Sequence, residues 1–183
     1  MPRIRPIEYA EATPGVRAAH DEVVREHGRI TNMKRTLLHS PLAFHALMEW
    51  YVLRDAVQPF LGERLINLFC HAISTEKDCL ICSTFFRRIL VESGDNPDRF
   101  ALDEREEAVV EFGRQLAKPF ARVPDGLFTR LAATFTDEQI VALTAFGALM
   151  VASNVFNNAL DVEPDRYLEP YQKTSLTPSE GAV

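Results

Sequence analysis

Apolar residues recur at three- and four-residue spacing along most of this chain, and Pro, Gly and small polar residues cut the pattern into helices. Thr13 and Pro14 open one of them, since proline fits the first turn, where its missing N–H would have no partner. That helix runs through GVRAAHDEVVREHG and stops at Gly28. Ser40 and Pro41 repeat the signal, and Leu42, Ala46, Trp50 and Leu53 keep helical spacing until Pro59 intervenes. A third helix is expected from Glu63 to about Ser74, and a fourth from the cysteine pair at Cys79 and Cys82 to near Gly94. Asp103 with Glu106, and Thr136 with Gln139, are spaced as capping boxes, in which cap and third residue satisfy each other's free amides. A shorter helix opened by Pro124 falls between them. No run alternates apolar and polar residues long enough for a strand, and no glycine-rich phosphate loop occurs. The pattern predicts an all-α, single-domain helical bundle of about seven helices over residues 1–165. Residues 166–183 read as a C-terminal tail, mobile over its last ten or so positions.

From Ile140 to Leu160 the chain has 21 residues without a charge, a length that spans a bilayer. Asn154, Asn157 and Asn158, with Thr144 and Ser153, weigh against lipid and predict a buried core helix instead. Its apolar surface exceeds what one thin domain covers, so a homo-oligomer is expected. With 46% hydrophobic and 25% charged residues, 183 residues suffice for one full core. The net charge of −6 is spread without long runs, which argues against a nucleic-acid surface or a membrane anchor and leaves a small molecule or a protein as partner. The N-terminus carries Glu8 and Glu11 after two arginines and no apolar run, so a cytoplasmic protein is expected.

Three cysteines in such a chain do not form a disulfide framework; a pair at this spacing in a reducing compartment points to catalysis or metal binding. On a helix Cys79 and Cys82 share a face, so their sulfurs can meet and cycle through a disulfide. If Asp78 caps the helix, Cys79 falls in the first turn, where free N–H groups and the dipole stabilise a thiolate. Glu76 and Asp78 oppose that, while Lys77, Arg87 and Arg88 offset some of it. The simpler alternative makes both cysteines small buried hydrophobes among Leu80, Ile81, Phe85, Phe86, Ile89 and Leu90. A zinc site would need further ligands, and only Cys70 and His71 are at hand, pointing about 100° apart on a helix. No metal or other cofactor is therefore expected.

The layout LGERLINLFCHAISTEKDCLICSTFFRRILVESG resembles the alkylhydroperoxidase AhpD-like and carboxymuconolactone decarboxylase superfamily. FTDEQIVALTAFGALMVASNVFNNALDV and HGRITNMKRTLLHSPLAFHAL resemble segments of its peroxidase-related members, so the likeness covers most of residues 15–165. The resemblance implies a peroxidatic Cys82 that attacks the peroxide oxygen, a resolving Cys79, and a thiol reductant that restores the pair. Helix electrostatics alone favour Cys79 as the more acidic thiol. The family's proton relay uses a His four residues after the second cysteine and a Glu twelve before the first, and here those positions hold Phe86 and Asn67. Neither serves as a general base. His71, one turn after Asn67, is the substitute candidate for base or imidazolium partner, against the alternative of a histidine that bonds only locally. Cys70 reads as core, His20, His27, His39 and His45 carry no ligand spacing, and Phe44, Trp50, Tyr51 and Phe60 read as core or interface, with a pocket lining as the lesser alternative.

The expected activity is thiol–disulfide oxidoreduction on a small hydroperoxide or disulfide. The alternatives are a helical scaffold or redox sensor that has lost the relay, and a lactone decarboxylase.

Overall fold

The computed structural model describes residues 1–96 and 99–172. The helices are α1 (Pro14–His27), α2 (Asn32–Leu37), α3 (Pro41–Leu61), α4 (Glu63–Glu76), α5 (Leu80–Glu92), α6 (Glu104–Ala117), α7 (Asp125–Ala132) and α8 (Asp137–Ala159). Short 3-10 turns at Tyr9–Glu11 and Arg166–Tyr171 flank them, and the described residues contain no strand. The class is all-α.

The start signals act as read. The side chains of Thr13, Ser40, Asp103 and Thr136 each accept a backbone N–H from the first turn, and both capping boxes close reciprocally. Gly28 ends α1 in the left-handed conformation, φ 73°, which glycine adopts without a Cβ clash. Two elements depart from expectation. α3 runs two residues past Pro59, and the carbonyl that this proline leaves unbonded belongs to Asp55, an exposed residue. α2 was not anticipated: six residues capped by Thr31 are too short to show a hydrophobic period.

α4 is the centre of the bundle and packs against α5, α6 and α8, while α3 lies along α8. Leu65, Ile66, Leu68, Phe69, Cys70 and Ile73 on α4 are all at most 2% exposed. The Phe69 ring stacks on Phe112 of α6 and Phe146 of α8, centroids 6.3 and 6.0 Å away. Gly113 and Gly147 make room for it, since a Cβ would lie 2.9 Å from a Phe69 ring carbon at either position. A smaller cluster of Val23, Leu37, Leu38 and Phe44 packs α1 and α2 onto α3.

α8 is long and apolar enough to cross a membrane, but its Leu143 and Phe146 are fully buried against other helices. Its amides are used internally: buried Asn154 bonds the Met150 carbonyl at 2.6 Å, and Asn158 donates to Lys77 O at 2.9 Å. Part of the segment read as tail packs on α5: Leu168 is 1% exposed and the Tyr171 hydroxyl bonds Glu92 at 2.8 Å. Positions 173–183 lie outside the described residues.

Candidate functional site

The site is built at the turn between α4 and α5. Lys77 closes α4, Asp78 takes a left-handed φ of 51°, and the Cys79 N–H returns to Ser74 O at 3.0 Å. Cys79, not Asp78, is therefore the N-cap residue of α5, a correction of one position. The left-handed turn carries the Asp78 backbone outside the helix, and its side chain makes no cap. The Asn158 bond to Lys77 O ties this turn to α8.

With Cys79 at the cap, Cys82 becomes the third helical residue; the Cys79 side chain makes no cap hydrogen bond, but its sulfur feels the free N–H groups of the first turn. Its pKa is drawn down to about 7, first by the hydrogen bond from the Cys82 thiol, then by the free N–H groups of Cys82 and Ile81 and by the Asn157 amide, against the cost of burial. The Cys82 thiol is pushed well above its ordinary value, because its proton is given to that sulfur and because it is buried. Of the two, Cys79 is the thiol that ionises first, and the remaining proton is then shared between the sulfurs. Neither is in a disulfide.

Asn157 of α8 reaches both sulfurs. Its Nδ2 lies 3.2 Å from Cys82 Sγ and 3.9 Å from Cys79 Sγ, while its Oδ1 is buried without a partner. The amide was read only as a mark against lipid. The signal was present nonetheless, since a buried amide in an apolar helix must find partners.

Cys82 opens on a cavity of about 240 Å³ lined by the end of α1 and the loop after it, α2, α3, α5, α8 and the C-terminal 3-10 turn. Phe85, Phe86, Trp50, Met33, Met48 and Met150 supply most of its apolar wall. Phe86, four residues after Cys82, is 4% exposed and forms part of this wall, with Trp50 and Phe85 rings 6.4 and 5.2 Å away. Trp50 and Tyr51, read chiefly as core or interface, also line the cavity, whereas Phe60 packs on Phe135. His27 also lines the cavity and stacks on Tyr51, centroids 4.3 Å apart.

The other expected residues lie elsewhere. His71 is half-buried, edge-on to Phe100 at 5.7 Å, and is not among the residues lining the cavity; the polar group on the two sulfurs comes from α8 instead. Its register explains this: Asn67, Cys70 and Ser74 take the buried face of α4, and position 71 is turned about 100° from Cys70. Asn67 bonds back to Glu63 O at 2.9 Å. Cys70 is fully buried, and burial raises its pKa well above the ordinary value, which keeps it a core thiol. Among the described residues no three His, Cys, Asp or Glu side chains gather as metal ligands.

A helical bundle whose α4–α5 turn presents a C-x-x-C pair to an apolar cavity has the AhpD-like fold. The AhpD-core, peroxidase-related protein of Ralstonia eutropha JMP134 superposes with a TM-score of 0.71 at 22% identity, covering 91% of this chain and 94% of its own. The debrominase Bmp8 gives a TM-score of 0.73 at 18% identity and 92% and 95% coverage. A cysteine-to-alanine variant of Bmp8, in complex with 2,3,4-tribromopyrrole, gives 0.74 at 17% identity and 92% and 94% coverage. A peroxidase-related protein of Silicibacter sp. TM1040 gives 0.67 at 15% identity, over 90% and 93%. No family model and no curated protein sequence matches the chain.

Proposed function

We propose that the protein is a thiol–disulfide oxidoreductase that reduces an organic hydroperoxide through Cys82 and Cys79. The observation that carries this reading is the division of labour in the pair: Cys82 meets the cavity, and the more acidic Cys79 lies behind it at 1% exposure. With Phe86 and Asn67 at the relay positions, the Cys79 thiolate itself is the base for Cys82. The shared proton moves to Cys79, and the Cys82 thiolate attacks the nearer peroxide oxygen. The O–O bond breaks, giving a sulfenic acid on Cys82 and an alkoxide that takes a proton to leave as alcohol. Cys79 then attacks the Cys82 sulfur and expels water. One thiolate, one thiol, one hydroperoxide and one proton from solvent become one disulfide, one alcohol and one water. A thiol reductant, small or protein-borne, must reopen the disulfide.

A second substrate class is favoured by the aromatic and methionine wall of the cavity and by the likeness to a debrominase. A halogenated aromatic ring would give its halogen to the Cys82 sulfur and take up a proton at carbon, after which Cys79 displaces halide and closes the same disulfide. Either reaction consumes the two electrons of the pair.

We place the protein in the cytosol, where its three thiols stay reduced, and expect a homo-oligomer. Val141, Ala145, Ala148, Ala152 and Val155 follow alternating four- and three-residue steps along α8, none of them buried, and such a stripe suits a second helix.

The test is to mix reduced protein with cumene hydroperoxide and follow intact mass. Loss of two hydrogens in the wild type, with a sulfenic acid trapped on Cys82 in Cys79→Ser, supports the assignment. Oxidation no faster than that of an ordinary exposed thiol overturns it in favour of a redox-silent helical scaffold.

A further inference from the structure

Lys34 of α2 is 7% exposed, and the described residues place no carboxylate within salt-bridge distance of it. Its Nζ donates to the Tyr51 hydroxyl at 2.9 Å, leaving two of its three donors for something else. Exposed Glu26 is the anion whose field reaches it. Burying an ammonium without a counter-charge is unfavourable, and its pKa falls to about 8 as a result. The Tyr51 phenol, pushed up to about 12 by burial, remains protonated and adds no negative charge.

Lys34 lines the cavity that Cys82 opens on, and it is not the only unsatisfied donor there. Trp50 Nε1 and Arg88 Nε are buried without hydrogen-bond partners, and both residues line the same space. Of the two arginines in the lining, Arg29 lies over the Tyr167 ring, 4.4 Å from its centroid, and Arg88 is paired with Glu92 at 2.6 Å. The carboxylate among the lining residues, Asp165, is already engaged by the Asn32 N–H at 3.0 Å, at the start of α2. The cavity therefore has apolar walls and, in Lys34, a buried cation without a paired carboxylate.

We propose that this cavity binds an organic monoanion, an aromatic carboxylate, whose acid group is held by Lys34 while its ring lies against the apolar wall. A carboxylate offers about four acceptor sites and suits several N–H groups at once. Since about 150 Å³ accommodates benzene, 240 Å³ accepts one ring with a carboxylate and a further substituent. As a statement about substrate class the proposal rests on the redox reading above, which would make the acid's other end the part delivered to Cys82.

The sequence holds one tryptophan, and it lines the cavity, so intrinsic fluorescence reports occupancy directly. The measurement titrates Cys82→Ser protein, which cannot cycle, with benzoate and with its uncharged analogue benzamide. Benzoate is expected to saturate the Trp50 signal at least about tenfold more tightly than benzamide, the ratio that one charge-assisted contact confers. Lys34→Met should remove that preference by weakening benzoate far more than benzamide, while Lys34→Arg should keep it. Equal affinities for the two ligands, no saturable binding of benzoate, or an unchanged preference in Lys34→Met would overturn the proposal. The comparison in the Cys82→Ser protein needs no lysine variant to fold. Disulfide formation with uncharged cumene hydroperoxide is scored separately, so loss of one result leaves the other standing.

Discussion

Asn157 Nδ2 stands 3.2 Å from Cys82 Sγ and is the side-chain amide that also reaches Cys79, at 3.9 Å. It donates to sulfur as placed, and a half-turn of the amide would present its unpartnered Oδ1 to a thiol S–H from the same position. The one residue can thus serve both protonation states of the pair. Asn157→Leu removes this contact at nearly constant volume. The Cys79 pKa should rise above about 7, and disulfide formation at neutral pH should slow by roughly three- to tenfold. Asn157→Asp sets a carboxylate against the thiolate and should raise the pKa further. Thiolate absorbance titrations that coincide for all three proteins would remove Asn157 from the chemistry.

The pH dependence separates the two cysteines. Reaction of Cys82 needs a proton acceptor, so its rate with hydroperoxide should climb with pH through about 7, where Cys79 ionises. In Cys79→Ser the acceptor is gone and the climb should move to alkaline pH, since burial alone still opposes a Cys82 thiolate. Stability of the reduced protein follows the same signs. The Cys79 pKa is depressed on folding, so its contribution is complete above the unfolded-state value of about 9 and is lost as pH falls through about 7. Cys70 and Cys82, both raised, contribute in the opposite sense and lose stability as pH rises past about 9. Replacing Cys79 by Ser should therefore flatten the pH 7 to 9 limb of a denaturant-stability profile.

Position 147 tests the core. Gly→Ala in a helix interior ordinarily gains about 1 kcal/mol, but a Cβ on Gly147 would lie 2.5 Å from Leu116 Cδ1 and 2.9 Å from Phe69 Cζ. Overpacking of that kind costs about 1–3 kcal/mol, so Gly147→Ala should be destabilising on balance. Gly113→Ala should cost more, because one of its contacts is the Phe69 backbone carbonyl at 3.1 Å, which cannot rotate away. Calorimetric melting temperatures at or above that of the wild type for both variants would contradict this packing.

The fold was legible where local chemistry decides it. Thr13–Pro14, Ser40–Pro41, Asp103 with Glu106, and Thr136 with Gln139 each act through atoms a few residues apart, and each starts a helix where it was read. The cysteine pair was legible for the same reason. The rest of the site was not, because Lys34, Trp50 and Asn157 come together only through the packing of α2, α3 and α8. Asn157 lies 75 positions from Cys82, beyond any periodicity. His71 was placed by its register relative to Asn67, which fixes a helix face but not what that face meets.

Lys34 should be costly to the fold when its site is empty. Its pKa falls from 10.5 to about 8 on folding, so between those values the unfolded chain binds more protons and the native state gains stability as pH rises. Below about 8 the fold carries the full cost of the buried ammonium, on the order of 1–3 kcal/mol after relaxation. Lys34→Met removes that cost but strands the Tyr51 hydroxyl, which is set back by about 1–2 kcal/mol, so Lys34→Met in a Tyr51→Phe background is the cleaner comparison. The double variant should be more stable than Tyr51→Phe alone at pH 7, and the difference should shrink to nothing near pH 10.5. Urea denaturation at a series of pH values measures it. A double variant that is less stable at every pH would mean that the ammonium is well held by the protein itself, and Lys34 would then be a structural cation and not one awaiting a ligand.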